Sequence, residues 1–228
     1  MSDLAAYAHL LVSGATVTLG IAGESLAIGL VLGLALAAAK LSRHGWWAVS
    51  ISVMTDFIRG VPEFLVLLLI YFGGTKLLSD VVGDYVEVSP WGAGVAALSI
   101  VFAAYASETF RGAFLAVPKG QVEAARAYGF SRWRTFRHVQ LPQLWRIAVP
   151  GLGNLWQVLI KDTALVSIVG LDDLMRRSKQ ASETTKEPFT FFLAAATIYL
   201  AITIVSMIVV AAVERRSSRF LEIGRAHV

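Results

Sequence analysis

The sequence predicts an all-α membrane protein of about five transmembrane helices. Three observations lead there. Of its 228 residues, 56% are hydrophobic and only 16% charged, the apolar residues gather in runs long enough to cross a bilayer, and the basic residues collect between those runs. An ordinary soluble domain carries roughly one charged residue in four. One membrane domain over residues 14–216 is expected, with a short segment 1–13 before it and a tail 217–228 after it.

A helix needs about 20 apolar residues to cross roughly 30 Å of hydrocarbon. The first such run extends from Gly14 to Ala39, interrupted only by Glu24. It lacks a basic start and is too long and too late for a cleaved leader, so it is expected to stay in the mature protein. The second covers Val49 to Phe72 and contains the string Asp56-Phe57-Ile58-Arg59-Gly60-Val61-Pro62-Glu63, which predicts a kink or a partly interfacial helix. The third spans Trp91 to Phe110, the fourth Leu144 to Gly170 and the fifth Phe189 to Val213. Small residues recur in all five, as close helix packing in lipid requires.

Basic loops stay on the cytoplasmic side. Lys40, Arg43, the run from Arg111 to Arg146, and Arg215, Arg216 and Arg219 fall on one side; the other side mixes Lys76, Arg176, Arg177, Lys179 and Lys186 with seven acids. The predicted topology is therefore multi-pass, with the N-terminus outside and the C-terminus inside. The net charge of +4 reflects this sorting, and a nucleic-acid partner is not expected. Cysteine is absent, which excludes disulfides, thiolate metal sites and cysteine nucleophiles.

The loop between the third and fourth spans, about residues 111–143, is more than a connector. Gln121–Tyr128 is rich in helix formers, Gly129 is placed to end a helix, Ser131 can cap a second one, and Pro142 is expected to stop it. Two short helices with a turn make a knob suited to a soluble partner; a loop held by its arginines on anionic lipid is the plainer alternative.

Within that knob stand Glu123-Ala124-Ala125, three residues, Gly129, nine residues, then Val139-Gln140-Leu141-Pro142. This resembles the EAA motif of binding-protein-dependent ABC importer permeases, with Val139 in place of the usual Ile. Phe57–Glu63, Glu108–Phe114, Val117–Gly120 and Gly153–Val158 are similar to the polar amino-acid branch, most of all to the Q-type subunit of histidine, lysine/arginine/ornithine and opine importers. The resemblance covers about Gly14 to Arg216 and implies a type I importer fold. It also implies that Glu123, Ala124, Ala125, Gly129, Leu141 and Pro142 couple the chain to a separate ABC ATPase. The further partners it implies are a second permease subunit, M-type or another copy, a periplasmic solute-binding protein and an amino-acid substrate, in the inner membrane and in contact with lipid.

The residues agree with that division of labour. There is no G-x-x-x-x-G-K-[ST] phosphate loop, no H-E-x-x-H zinc motif and no G-x-S-x-G elbow. No catalytic residue, metal site or cofactor is expected on this chain, with ATP and magnesium on the partner. His9, His44, His138 and His227 fall at span ends, in loops or near the termini and read as surface residues.

Charges inside spans are costly unless paired or wetted. Asp56, Arg59 and Glu63, and likewise Glu108 and Arg111, are spaced to pair along one helix face. A cationic amino acid needs carboxylates to replace its hydration, which makes Glu24, Glu63, Glu108 and Asp162 the candidate acids of a pathway. For Glu108 an ion pair is the simpler account. Asn154, Trp156 and Gln157 would add hydrogen bonds and an aromatic wall, and Lys161 is a further pathway candidate: it is adjacent to Asp162 and points to a different face, so at least one of the two is expected to meet the partner subunit or the pathway.

A secondary transporter, or a scaffold without an ATPase, is the alternative. The former usually carries an inverted repeat, and none is visible. Ile223–Val228 back-translates to a sequence seen where adapter DNA has been joined to a gene, and the membrane pattern stops after Glu214-Arg215-Arg216. That hexapeptide is expected to be foreign; resequencing the 3′ end from genomic DNA should give a different frame after Glu222.

Overall fold

The computed structural model describes residues 2–42 and 45–225. Arg43, His44 and the last three residues of the tail, with His227, lie outside the described residues. Helix follows helix, and among the described residues there is no strand.

Helix α1 runs from Ser2 to Lys40, so the expected outer segment 1–13 continues the first span as the same helix from Ser2 onward. Helix α2, Gly45–Gly60, ends where Val61 and Pro62 interrupt the chain, and α3, Glu63–Leu68, restarts it. The break is the one predicted, since a proline lacks the N–H that would bond one turn back. Its consequence was not predicted. The apolar stretch long enough to cross the membrane lies after the break, over Glu63–Val82, where α3 passes through a wide π turn at Leu69–Gly73 into α4, Gly74–Val82.

Helix α5, Pro90–Ala116, is the axis of the bundle. Ser89 caps it by accepting a hydrogen bond from the Gly92 amide (3.1 Å), and Pro90 fits the first turn because it needs no partner there. Ala93, Ala97, Ala103, Ala104 and Ala106 are buried along its length. Helix α1 lies along it, and α8, Leu141–Asp162, packs against both. The approach of α1 is close: a Cβ added at Gly33 would sit 2.8 Å from the Ala106 Cβ. Only glycine fits there.

Four helices among the described residues are long and apolar enough to cross a membrane: Leu4–Lys40, Glu63–Val82, Pro90–Ala116 and Pro188–Ser217. The expected fourth span falls on α8, which carries Gln143, Arg146, Asn154 and Gln157 and is shielded in part by α5 and α10, Pro188–Arg225. A helix that borrows its cover from neighbours can be more polar than one facing lipid alone.

Beyond α8 a 3₁₀ stretch, Thr163–Val169, leads through Gly170 (φ 97°) to helix α9, Leu174–Thr185. Asp173 caps α9, its Oδ1 accepting from the Arg176 amide at 2.9 Å, and the Thr18 Oγ1 of α1 accepts from the Leu174 amide at 3.3 Å. Asp173 is fully buried. Burial pushes its carboxyl up from 3.8 to about 6, against the smaller opposing pull of backbone amides led by that of Arg176.

Two predictions follow from this packing. Gly33→Val should lower stability by about 1–3 kcal/mol through overpacking, whereas Gly23→Ala, with open space around it, should be neutral or slightly stabilising; thermal melts in detergent distinguish them. Because the folded state holds the Asp173 proton more tightly than the unfolded chain, wild type should lose stability relative to Asp173→Asn as pH rises from about 4 through 6. Paired melts at pH 4 and pH 7.5 should show the variant gaining on wild type; an unchanged difference would contradict it.

Candidate functional site

Two features stand out, one at each end of α8. At its start is a helical hairpin. Helix α6, Lys119–Ala127, ends with the Phe130 amide bonded to the Ala125 carbonyl (3.1 Å) and the Gly129 amide to that of Arg126 (2.9 Å), while Gly129 takes φ 79°. This double backbone closure needs a left-handed residue, which glycine supplies without strain. Ser131 then caps α7, Arg132–Thr135, accepting from the Arg134 amide at 3.3 Å. Buried Ala125 and Thr135 fill the inside of the hairpin, and stacking of Phe136 on Phe114 (6.2 Å between centroids) fixes it to the end of α5. Glu123, Ala124 and Gly129 are left exposed, as are Leu141 and Pro142. Beside them Tyr128 is 85% and Trp133 64% exposed, a large aromatic display for a surface that faces water.

Pro142 does not stop a helix, as the sequence suggested, but lies in the first turn of one. The chain passes from α7 through a π turn, Phe136–Gln140, directly into α8. A proline in a first turn loses nothing, and the wide turn before it absorbs the ring. The Gln143 Nε2 donates to the Gln121 Oε1 at 2.6 Å, which ties the base of α8 back to α6.

Toward the other end of α8 lies a slot of about 240 Å³ between α3, α5 and α8. Glu63 and Asp162 line it, with Tyr105, Phe102 and Leu155 among its walls. Neither acid belongs to an ion pair among the described residues. Arg59 does not reach Glu63: the break at Val61–Pro62 takes Glu63 out of helical register with it, and Arg59 instead pairs with Asp56 (3.3 Å) and stacks over the Tyr105 ring, 5.2 Å from its centroid.

The remaining candidates scatter. Asn154 is exposed one turn below Val158, a wall of the slot. Trp156 turns away into an apolar groove beside α10, and Lys161 faces a separate cavity with Tyr199. Both polar atoms of Gln157 are buried without a partner. Glu24 is exposed on α1 and accepts from the Trp91 Nε1 at 2.9 Å. Glu108 is fully committed: Oε1 accepts from the Lys40 ammonium (2.6 Å) and Oε2 from Arg111 (2.7 Å), while Lys40 also donates to the Ser107 Oγ (2.9 Å). The Arg111 partner was legible from spacing. Lys40, on another helix with a side chain only 1% exposed, was not, because nothing in sequence spacing links the end of α1 to α5.

A bundle with membrane-crossing helices, an exposed helical hairpin and an acid-lined slot has the build of a membrane permease. The chain belongs to the family of binding-protein-dependent transport system inner membrane components, which it matches over residues 29–219. It is 45% identical to the arginine ABC transporter permease protein ArtQ of Haemophilus influenzae, covering 94% of this chain and 96% of that one. It is 42% identical to the histidine/lysine/arginine/ornithine transport system permease protein HisQ of Salmonella typhimurium, covering 93% and 95%, and equally so to the octopine transport system permease protein OccQ of Rhizobium radiobacter, covering 91% and 90%. Among solved structures, an amino acid ABC transporter crystallised with histidines superposes with a TM-score of 0.82 at 33% identity over 93% of this chain and 96% of that one. The MetNI methionine ABC transporter, inward facing, shares the fold at a TM-score of 0.75 and 20% identity, covering 91% and 96%.

Glu108→Gln should strand the buried Lys40 charge and cost about 3–5 kcal/mol, whereas the double variant Lys40→Met/Glu108→Gln should recover much of that loss. A melting series of the three proteins checks it, and a double variant no better than the single one would argue against the buried pair.

Proposed function

We propose that this chain is the Q-type permease subunit of an ATP-driven importer of cationic amino acids. The observation that carries the reading is the convergence of two unpaired carboxylates, Glu63 and Asp162, on one slot too small for a peptide. A basic side chain and an α-ammonium need anionic replacements for their water, and two carboxylates supply them. Arg59, stacked on the slot residue Tyr105, stands near enough to the wall to attract the α-carboxylate. The named cargoes of the relatives, arginine, histidine, lysine, ornithine and octopine, share a nitrogen-rich basic side chain and support the same reading.

The hairpin docks the ATPase, with Glu123, Ala124 and Gly129 at the contact and Leu141 and Pro142 at its base. ATP and magnesium bind on that partner. A second permease subunit, M-type or another copy, completes the pathway, and a periplasmic solute-binding protein delivers the cargo. Charge sorting supports a cytoplasmic hairpin and C-terminus in the inner membrane. Asn154 extends the polar face of α8 below the slot. Glu24 and Lys161 lie outside it, and Glu108 serves the architecture.

Uptake of labelled arginine by the reconstituted transporter tests the slot. Glu63→Gln and Asp162→Asn should each reduce it by roughly tenfold or more, the size of a lost charge-assisted hydrogen bond, with ATPase capture intact. Glu123→Lys and Gly129→Asp should abolish capture while the chain still inserts. If no ATPase copurifies with wild type and the hairpin variants behave like it, the secondary-transporter or scaffold reading replaces this one.

A further inference from the structure

The hairpin displays charge as well as aromatic rings. Between Lys119 and Arg137 stand five cations, Lys119, Arg126, Arg132, Arg134 and Arg137, against one acid, Glu123, a surplus as large as the +4 of the whole chain. All six residues are exposed, and none forms an ion pair among the described residues. Glu123 follows Lys119 by four positions and precedes Arg126 by three, spacings at which a helix can pair opposite charges, yet it engages neither. The charges of this surface are not satisfied by one another.

The aromatic residues among them stand on a fixed frame. Trp133 rests against Phe136, with 5.7 Å between ring centroids, and Phe136 stacks on Phe114, so the indole is held from below while most of it stays exposed. Tyr128 stands at the Gly129 turn, whose backbone closure sets its position, and it covers no part of the hairpin's interior. A surface fixed in this way loses little freedom when a partner binds. Trp, Tyr and Arg are also the residues that most often carry the energy of a protein interface.

We infer that the partner of the hairpin receives Tyr128 and Trp133 in an apolar pocket ringed by carboxylates, which meet the arginines. The inference rests on the importer reading, in which that partner is the ATPase, and adds the chemistry of the surface the ATPase offers. An anionic bilayer is the poorer fit. It would attract basic residues in any arrangement, would repel Glu123, and would have no use for a turn and a stack that fix where the rings stand. The labour divides by residue type: the arginines steer the approach and set the rate of association, while the buried rings set the rate of dissociation.

Binding kinetics test this with the full chain, and whatever permease subunit accompanies it, in nanodiscs of dioleoylphosphatidylcholine. The ATPase that copurifies with wild type is prepared separately and added back. Its association should slow by roughly tenfold or more between about 0.1 M and about 1 M salt, as the Debye length shortens from about 10 Å to about 3 Å. Arg132→Gln/Arg134→Gln/Arg137→Gln should lose most of that salt response. Tyr128→Ala should leave association within about threefold of wild type and speed dissociation by roughly 30-fold, the size of an interface hot spot. Salt-insensitive association of wild type overturns the ring of carboxylates, and a Tyr128→Ala/Trp133→Ala protein that dissociates like wild type overturns the pocket. A triple variant that binds ATPase as wild type does, and loses only a response to dioleoylphosphatidylglycerol added to the discs, gives the arginines to the membrane and overturns the proposal too. Each of those results leaves the importer reading standing, whereas a wild type that retains no ATPase at all removes both.

Discussion

α1 can lie along α5 only because Gly33 meets Ala106, and Gly29 meets Phe102, with no side chain of its own to hold the helices apart. In lipid there is no hydrophobic force between apolar helices, so such close contact is the main attraction available. It brings the end of α1 near enough for Lys40 to reach Ser107 and Glu108, while α8 packs against both helices.

α8 connects the hairpin and the slot. It runs as one helix, with Pro150 inside it, from the hairpin base at Leu141 to Asp162 in the slot wall, 22 residues or about 33 Å at the usual rise. Its base is tied by Gln143 to α6 and joined to α7 by a π turn, the kind of irregularity that recurs at functional hinges. On the proposed reading, a push on the hairpin need not be relayed through many weak contacts. It can tilt one rod whose far end carries a carboxylate facing the cargo.

Local features of the sequence were readable because their causes are local. Pro62 breaks a helix wherever it falls inside one, and Gly129 ends a helix because a positive φ is cheap for it alone. Pro142 shows the limit of that logic: the same residue stops one helix or begins the next, and the choice depends on whether the following turns find cover, here against α5 and α10. Arg59 and Glu63 looked like partners at helical spacing, yet the break between them withdrew the helix on which the spacing was counted. Trp156 shared a helix with the slot residues but not their face. Lys40 belonged to no pattern, because its partner lies on a different helix, 68 positions away.

The hairpin holds its shape through means that leave its outer surface uncommitted. Its turn is closed by backbone amides and carbonyls, its interior by Ala125 and Thr135, and its anchorage by Phe136 on Phe114. Glu123, Ala124 and Tyr128 therefore contribute little to keeping it folded. With the hairpin as the proposed ATPase contact, a lineage could rewrite those positions to suit a different ATPase, or to refuse a neighbour's, while the scaffold beneath stayed the same, so partner choice in such a subunit would be free to diverge faster than its fold.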